Sequence, residues 1–316
     1  MQDRFLASSP IAQYEIMKND LHIYELLPDN TRTIELSPVG TLGANTLLGQ
    51  VDIKNILTIS RGNEVMADAT TAWALEWAIM RKNGNMNTLR LATHHRIIRW
   101  QKFDQEWFTP HFRAFHYCLL WRQTDRMNFE FDALKETIEL YLRILQSFKQ
   151  EGFWISDIKV KIANLMIAEK ILAQYPLNLD TKKELMRNDV GIFPVLNFSI
   201  NSHAKTCEEL NEIENYLHEK GVHVSFNTLR KIHQYVFVDL KKRFPDVTFL
   251  FDVDRVKWSG YYDGLSMHIS AKNKDDLEMN LVDGGFSNWT EEILGDKKEK
   301  FFASWLGTEL FYKYFK

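Results

Sequence analysis

The sequence predicts an α+β fold in which an antiparallel sheet is flanked by helices. Stretches with helical spacing alternate with pairs of strand-like stretches, and the last third is dominated by strands joined by short turns. Neither a GxGxxG nor a GxxxxGK[ST] sequence occurs, so the glycine-rich phosphate loops of doubly wound folds are missing. A nucleotide, if one binds, must be held in another way.

Composition indicates a folded protein with a large core. The chain has 316 residues, of which 45% are hydrophobic and 13% aromatic, and its net charge of −3 gives no overall attraction for nucleic acid. No signal-like apolar segment opens the chain and no apolar run approaches the ~20 residues of a membrane helix, so we expect a soluble, cytoplasmic protein. Cys118 and Cys207 lack metal-site spacing and are interpreted as buried thiols.

The first half of the chain is predicted to contain helices and strands in alternation. A helix within residues 11–30 ends near Pro28, where an Asp and an Asn follow, and the TRTIELSPVG stretch then reads as a strand. Ala, Leu, Trp and Met at helical spacing predict a helix over 69–82, with Asp68 or Thr70 as its cap. A second amphipathic helix is predicted at 130–149.

The second half is predicted to be helical first and strand-rich later. In chain order we expect a strand at 157–164, a helix at 165–175, a polar connection at 177–190, helices at 206–219 and 227–243, strands at 247–256, 264–271 and 277–285, and a closing helix at 302–315. Gly221 is a plausible C-cap between the two middle helices.

Residues 91–122 concentrate cations among aromatic residues. This stretch reads as two strands around a loop, with five Arg or Lys against two acidic residues and four of the chain's ten histidines. Arg99 and Arg113 stand among large apolar residues, where a guanidinium needs an anion or a carboxylate partner. The segment therefore indicates a site for a negatively charged ligand, or a core hairpin whose arginines pair with buried acids.

Several separated segments together resemble the catalytic core of class II aminoacyl-tRNA synthetases. The similarity is to histidyl-tRNA synthetase and its paralogue, the regulatory subunit of ATP phosphoribosyltransferase. IRWQ at 98–101 and HFRAF at 111–115 resemble the strand-loop-strand motif of that family. The resemblance implies that Arg99 holds the α-phosphate of ATP, that Phe115 stacks on the adenine and that Arg113 lies near the distal phosphates. Gln101 replaces the usual glutamate.

Three further segments resemble the amino-acid pocket of the family. MADAT at 66–70 implies that Asp68 and Thr70 hold the substrate ammonium group, although both are also ordinary capping residues. VKWSGYYDG at 256–264 implies that Tyr261 and Tyr262 line the pocket and that Lys257 replaces a catalytic arginine. The alternative here is a strand edge with two core tyrosines.

LVDGGFSNW at 281–289 completes the predicted pocket. It resembles a glycine turn of the family, which implies that Gly284 and Gly285 allow the ligand close to the backbone. Phe286 replaces the arginine of that motif, and a tight turn alone also explains two glycines.

The last motif departs from the family pattern. ASWLGTELF at 303–311 matches it at Gly307 and Glu309, but Leu310 stands where the family has an arginine that contacts ATP. Losing a fixed cation weakens binding and transition-state stabilisation of a triphosphate. Conventional adenylation is therefore in question.

The resemblance also implies how the whole chain is organised. It implies one core over residues 1–316, with a divergent helical region at about 175–235, without an anticodon-binding domain and so without direct anticodon contacts. ELSPVG at 35–40 resembles the motif that forms the dimer interface, so a homodimer is expected.

Two functions follow from these features, and a third is open. The first is activation of an amino acid or related small carboxylate by ATP and Mg²⁺ for a non-tRNA acceptor, with Arg99 and Lys257 as catalytic residues and Glu130 or Glu309 as candidate metal ligands. The alternative is a non-catalytic regulatory or metabolite-sensing subunit that contacts a partner enzyme or carrier protein. The third is a core rebuilt for other chemistry.

The histidines bear on that third option. His94, His111 and His116 could serve there as acid or base, because imidazole titrates near neutral pH. Their spacing, with His95, predicts no metal site, since the adjacent His94 and His95 point to opposite faces of a strand.

Overall fold

A computed structural model describes residues 7–49, 51–84, 88–99, 109–123, 129–188, 190–200, 204–257 and 259–316. Its helices are α1 (Gln13–Glu25), α2 (Ala44–Leu47), α3 (Ala69–Lys82), α4 (Phe129–Gln150), α5 (Leu165–Gln174), α6 (Leu179–Asn188), α7 (Ile192–Val195), α8 (Leu210–Glu219), α9 (Asn227–Ile232), α10 (Val238–Arg243), α11 (Trp289–Leu294) and α12 (Thr308–Tyr314). A π-helical turn at His233–Phe237 joins α9 to α10. The predicted helix over 227–243 is thereby confirmed.

Most strands belong to one large sheet. They are β1 (Thr31–Thr33), β2 (Val39–Thr41), β3 (Thr58–Ile59), β4 (Asn63–Val65), β5 (Leu89–Ile98), β6 (His111–Arg122), β7 (Ser156–Asn164), β8 (Ala204–Lys205), β9 (Thr248–Asp252), β10 (Leu265–Lys272), β11 (Glu278–Ser287) and β12 (Glu299–Leu306). Within the described residues nine strands pair in the order β1-β5-β6-β12-β11-β10-β7-β9-β8, and β2-β4-β3 form a small second sheet. Only β1–β5 and β7–β9 are parallel pairs in the large sheet. The predicted α+β class is confirmed.

The large sheet is covered on both faces. We call the side that carries α1, α4 and α12 the α4 face, because the apolar stripe of α4 packs there with Phe115 and Phe302. The opposite side, the α3 face, carries α3 and α11, with Trp73 and Trp77 packed near Cys118. Alternate side chains of each central strand therefore belong to different layers.

Local sequence explains where several elements begin and end. Asp68 is the N-cap of α3 and accepts a hydrogen bond from the backbone N–H of Thr70 at 2.8 Å. Gly221 follows α8 with a φ of +80°, a conformation that costs glycine little, so its predicted role at this helix end is confirmed. The helix within 11–30 ends at Glu25, ahead of Pro28.

Three predicted elements differ from the structure. The predicted closing helix at 302–315 is wrong over its first part, because β12 extends to Leu306 and only α12 is helical. Strand β12 lies between β6 and β11, and a strand buried on both faces gives a continuous apolar run that periodicity cannot distinguish from a helix. The polar connection at 177–190 contains α6, and only Thr31–Thr33 of the TRTIELSPVG stretch pairs in the large sheet. The single-domain organisation stays a prediction.

A buried ion pair fastens α3 to the sheet. Glu299 on β12 accepts hydrogen bonds from Arg81 Nη2 at 2.5 Å and from Trp77 Nε1 at 3.1 Å. Both charged side chains are 4% exposed. Since a charge left without its buried partner is strongly destabilising, this pair holds the two elements in one arrangement.

We therefore expect Glu299→Gln to lower the free energy of unfolding by about 3 kcal/mol, because it leaves the Arg81 guanidinium buried beside a neutral amide. Urea unfolding measures the effect. The control is Asp296→Asn, which breaks the half-exposed Asp296–Arg122 pair and should cost less than about 1 kcal/mol. Equal losses in the two variants would contradict the role of the buried pair.

Candidate ligand site

Asp68 links the start of α3 to the tyrosine pair and to Arg99. Its Oδ1 caps the helix, while its Oδ2 accepts a hydrogen bond from the Tyr261 hydroxyl at 2.7 Å. Arg99 Nη2 lies 3.8 Å from the same Oδ2, and Arg99 Nε donates to the carbonyl oxygen of Ala67 at 3.1 Å. The structure therefore brings together three residues that stand far apart in the sequence, and Asp68 is a helix cap whatever else it binds.

Tyr261 and Tyr262 pack edge to face beside this carboxylate. Their ring centroids are 4.8 Å apart with an interplanar angle of 89°. Both rings are buried, and burial raises the pKa of each phenol well above its ordinary value, with the nearby Asp68 carboxylate adding to the effect. The two hydroxyls therefore stay protonated and can serve as hydrogen-bond donors.

Gly285 makes room for the Tyr262 ring. A Cβ built at Gly285 would lie 2.6 Å from Tyr262 Cγ, and one at Gly284 would lie 2.7 Å from Ser304 Cβ. Both glycines are inside strand β11, where each faces a neighbouring side chain. The predicted strand at 277–285 is therefore confirmed at both glycines, and the tight-turn interpretation of them is wrong. Both make close contacts within the protein, and their role at a ligand stays a prediction.

Two buried histidines lie on the α3 face, and one of them, His116, is close enough to Asp68 for the carboxylate to affect its pKa. His95 of β5 and His116 of β6 are 5% and 2% exposed. In the described part of the chain neither ring nitrogen of His116 has a hydrogen-bond partner, and the same holds for Nε2 of His95. Burial lowers the pKa of His116 to about 4, against a raising effect of the nearby Asp68 carboxylate. His116 is therefore a neutral imidazole at neutral pH.

A second polar group on this face was not foreseen from the sequence. Arg255 is 3% exposed, and its guanidinium contacts His268 Nδ1 and lies 3.5 Å from Asp283 Oδ2. Burial is the main cause, and Arg255 the next, of a His268 pKa well below its ordinary value. The available signal was an arginine directly after an apolar strand, in VDRV. Lys257, which the sequence singled out, is partly exposed and is one of the cations that act on His268.

Strand register aligns the two groups in one row. His268 pairs with Asp283, Asp283 with Trp305, Trp305 with His116 and His116 with Thr93. Directly paired residues project to the same face, so this row crosses β10, β11, β12, β6 and β5 on the α3 face. Beyond it lies a mostly apolar pocket, lined by Pro10, Thr109, Phe112, Asn280, Trp305, Gly307, Glu309, Leu310 and Lys313.

Comparison with known proteins identifies the fold. No protein-family model matches the chain, and no curated protein matches it. Among solved structures, an ATP phosphoribosyltransferase regulatory subunit/histidyl-tRNA synthetase from Bacillus halodurans superposes with a TM-score of 0.72 at 15% identity, over 99% of this chain and 82% of the other. The chain has the class II aminoacyl-tRNA synthetase fold.

Two other solved structures support this assignment. Histidyl-tRNA synthetase from Nostoc sp. PCC 7120 superposes with a TM-score of 0.66 at 15% identity, over 99% of this chain and 73% of its own. The ATP phosphoribosyl transferase complex from Thermotoga maritima gives a TM-score of 0.58 at 13% identity, over 92% of this chain and 96% of the other. At these identities the likeness establishes the class II fold and not the activity.

The residues assigned to ATP do not meet in one place of this class II core. Arg113 lies on the α4 face, where its Nε donates to Asp20 Oδ2 at 2.5 Å. Phe115 is 0% exposed on that same face, with its ring centroid 5.0 Å from His94 and 6.2 Å from Tyr141. Arg99 lies on the opposite, α3 face. Arg113 thus matches the alternative interpretation of an arginine paired with a buried acid, and Phe115 is a core residue.

The other candidates for ATP and Mg²⁺ fit no better. Leu310 lies in the apolar pocket, and Glu309 Oε2 already accepts from the backbone N–H of Arg113 and pairs with Arg96, each at 2.9 Å. Among the described residues no group of three His, Cys, Asp or Glu is placed to hold a metal ion. Trp100 and Gln101 of the predicted motif lie outside the described residues. Among the described residues, the side chains predicted to bind ATP therefore do not share one face of the sheet.

The remaining histidines are separated from the site. His94 and His111 project to the α4 face, where His94 Nδ1 lies 3.1 Å from Asp20 Oδ1 and His111 Nδ1 lies 2.9 Å from Arg96 Nη1. Of the three histidines considered as acid or base, only His116 faces Asp68.

In the ranges that the structure describes, no helix is both long and apolar enough to cross a membrane.

Burial of His116 predicts a pH dependence of stability. Between pH 6.5 and about 4 the unfolded chain binds a proton at this residue that the folded chain does not, so the free energy of unfolding falls as the pH is lowered through this range. At the lower end of this pH range, the shift of the His116 pKa corresponds to a loss of about 3 kcal/mol in the free energy of unfolding. Urea unfolding between pH 7 and 4.5 should show a smaller slope for His116→Gln than for the unsubstituted protein.

The control for this slope is His223→Gln, which replaces an exposed imidazole. It should leave the pH dependence unchanged. Identical slopes for the unsubstituted protein and His116→Gln would contradict a buried neutral imidazole at this position.

Proposed function

We propose that the chain binds a small amino-acid-like molecule on the α3 face and acts as a regulatory or metabolite-sensing protein without forming an adenylate. The observation that carries this proposal is the Asp68 carboxylate, buried at the start of α3 and joined to the Tyr261 hydroxyl at 2.7 Å. The sequence indicated ATP-dependent activation as the first function and a regulatory or metabolite-sensing role as the alternative. The proposal adopts the alternative.

Asp68 supplies a recognition element for an ammonium group. It is 4% exposed, and its position is fixed by the helix cap on one oxygen and by Tyr261 on the other. A preorganised carboxylate makes a charge-assisted hydrogen bond, which is about twice as strong as a neutral one. An α-ammonium group carries the opposite charge and is therefore the simplest ligand group for this carboxylate.

Arg99 supplies the opposite charge next to it. Its side chain is 16% exposed, and its guanidinium donates to the Ala67 carbonyl on one side and lies 3.8 Å from Asp68 on another. A guanidinium presents five N–H donors in a fork that matches a carboxylate. Asp68 and Arg99 together fit the two charges of a zwitterionic amino acid.

The residues near Leu310, which stands where the family has an arginine that contacts ATP, support the regulatory assignment. Leu310 and Phe112 make the neighbouring pocket apolar, and Arg113 is committed to Asp20. Adenylation depends on cations that stabilise charge developing on the phosphates. A protein with Asp68 beside Tyr261 and with Leu310 in place of the family's arginine is suited to binding without turnover.

A second candidate function is adenylation, which the position of Arg99 favours. Arg99 lies in the segment that resembles the phosphate-binding strand of the synthetases and faces the amino-acid pocket. Under this alternative, ATP would approach from the Arg99 side, and Arg99→Ala would abolish the reaction.

We also propose that the chain acts on a partner enzyme and forms a homodimer. The similarity to the ATP phosphoribosyl transferase complex from Thermotoga maritima supports a role within an enzyme assembly. Affinity capture of the tagged chain from its native cells, with size-exclusion chromatography of the purified chain, tests both points.

A thermal-stability screen with all twenty L-amino acids, with ATP and with both together tests the main proposal. We expect at least one amino acid to raise the melting temperature and ATP to add nothing, since a ligand that binds only the folded state stabilises it. Asp68→Asn should preserve the helix cap, because Asn is also a good N-cap residue, but should weaken binding of that amino acid about tenfold or more.

The matched control is Asp52→Asn. Asp52 caps a short helical turn by accepting from the backbone N–H of Lys54 at 3.0 Å, and it lies exposed and apart from Asp68. This variant should bind the amino acid normally. An amino-acid-dependent exchange of pyrophosphate into ATP that disappears in Arg99→Ala would instead establish adenylation and overturn the regulatory assignment.

A further inference from the structure

We propose that His116, assisted by His95, is a specificity-determining contact of the ligand site and selects an amino acid whose side chain carries an uncharged hydrogen-bonding group. The inference rests on the proposed amino-acid binding and adds the chemical class of the side chain. It concerns two residues to which the resemblance to synthetases assigned no ligand role.

The first argument is the unsatisfied hydrogen-bonding capacity at His116. A buried imidazole normally uses both ring nitrogens, yet Nδ1 and Nε2 of His116 have no partner within the described residues. Nε2 of His95, on the neighbouring strand, is also without one. Each such group costs about 1 to 3 kcal/mol if it stays unsatisfied, so a bound molecule that supplies partners would recover that cost.

The second argument is the position of these nitrogens relative to Asp68. His116 and His95 project from β6 and β5 to the α3 face, and the charges of Asp68 and Arg99 act on the His116 ring. Under this proposal, an amino acid with its ammonium group at Asp68 extends its side chain toward His116. Trp305 of β12 pairs directly with His116 of β6, so its apolar ring lies next to His116 on the same face.

The third argument is the charge state of the imidazole. Because burial lowers the pKa of His116 to about 4, the ring at neutral pH offers one N–H donor and one acceptor nitrogen. An amide, hydroxyl or neutral imidazole side chain can engage both. A carboxylate can only accept, an ammonium can only donate, and an alkyl group leaves both nitrogens without partners.

His94 provides a comparison on the same hairpin. It is as deeply buried as His116, but it projects to the α4 face, where Asp20 lies 3.1 Å from its Nδ1 and Tyr24 packs against its ring at 4.8 Å. Like those of His116, its ring nitrogens have no hydrogen-bond partner among the described residues, but they lie on the face of the sheet opposite to Asp68. A substitution there tests the effect of losing a buried histidine without touching the site.

The experiment is a set of affinity measurements by calorimetry at pH 8 with the twenty free L-amino acids. We expect the tightest binder to have an uncharged polar side chain and to bind at least about tenfold more tightly than its apolar counterpart, as glutamine against methionine or threonine against valine. His116→Phe should reduce this preference to less than about threefold. His116→Gln should retain it, because an amide also donates and accepts, and His94→Gln should leave it unchanged.

Each outcome decides a different point. If an apolar or charged amino acid binds most tightly, or if His116→Phe keeps the preference, the inference about His116 is overturned while the proposed amino-acid binding stands. If no amino acid binds, the proposed function fails and the inference with it. If His116→Phe does not fold, the panel on the unsubstituted protein and on His116→Gln decides the matter, since a preference for apolar or charged side chains in either would overturn the inference.

Discussion

The arrangement of the site depends on the alternation of side chains along β6. This strand lies between β5 and β12 in the large sheet and is covered on both faces, so consecutive residues must serve different layers. Arg113 and Phe115 serve the layer under α1 and α4, where Asp20 and Tyr141 receive them. His116 serves the opposite layer, beside Asp68. A shift of one residue in register would exchange the two sets.

The α3 face combines fixed charges with incomplete hydrogen bonding. Asp68 and Glu299 are held by capping, phenol and guanidinium contacts, so they contribute to the fold as much as to any ligand site. His116 differs, because its nitrogens have no partner in the described structure. A protein interior accepts such a cost where a bound molecule or an ordered water offsets it. Asp68 and Glu299 thus have their polar atoms paired within the protein, whereas the nitrogens of His116 are available to bind a ligand.

Much of the fold could be predicted from local patterns. The helices α3 and α4 and the paired strands β5 and β6 follow directly from apolar spacing and capping residues. The two failures have different causes. Strand β12 carries apolar side chains on both faces from Phe301 to Leu306 because both faces are buried, and the alternation of apolar and polar residues is therefore weak in its sequence. Helix α6 is polar and lies in a stretch that composition alone marks as a connection.

By itself the sequence determined the α+β class and the order of the motifs, because both depend on residue types at short spacing. Its resemblance to class II synthetases implied roles for Asp68, Arg99, Tyr261 and Tyr262. Only the tertiary structure decided which of the predicted residues share a face of the sheet. It placed Arg113 and Phe115 away from the others, joined Asp68 to Tyr261, and added Arg255, Asp283 and His268. The physical reason is that facing depends on strand register and pairing, which are set by contacts between segments distant in the chain.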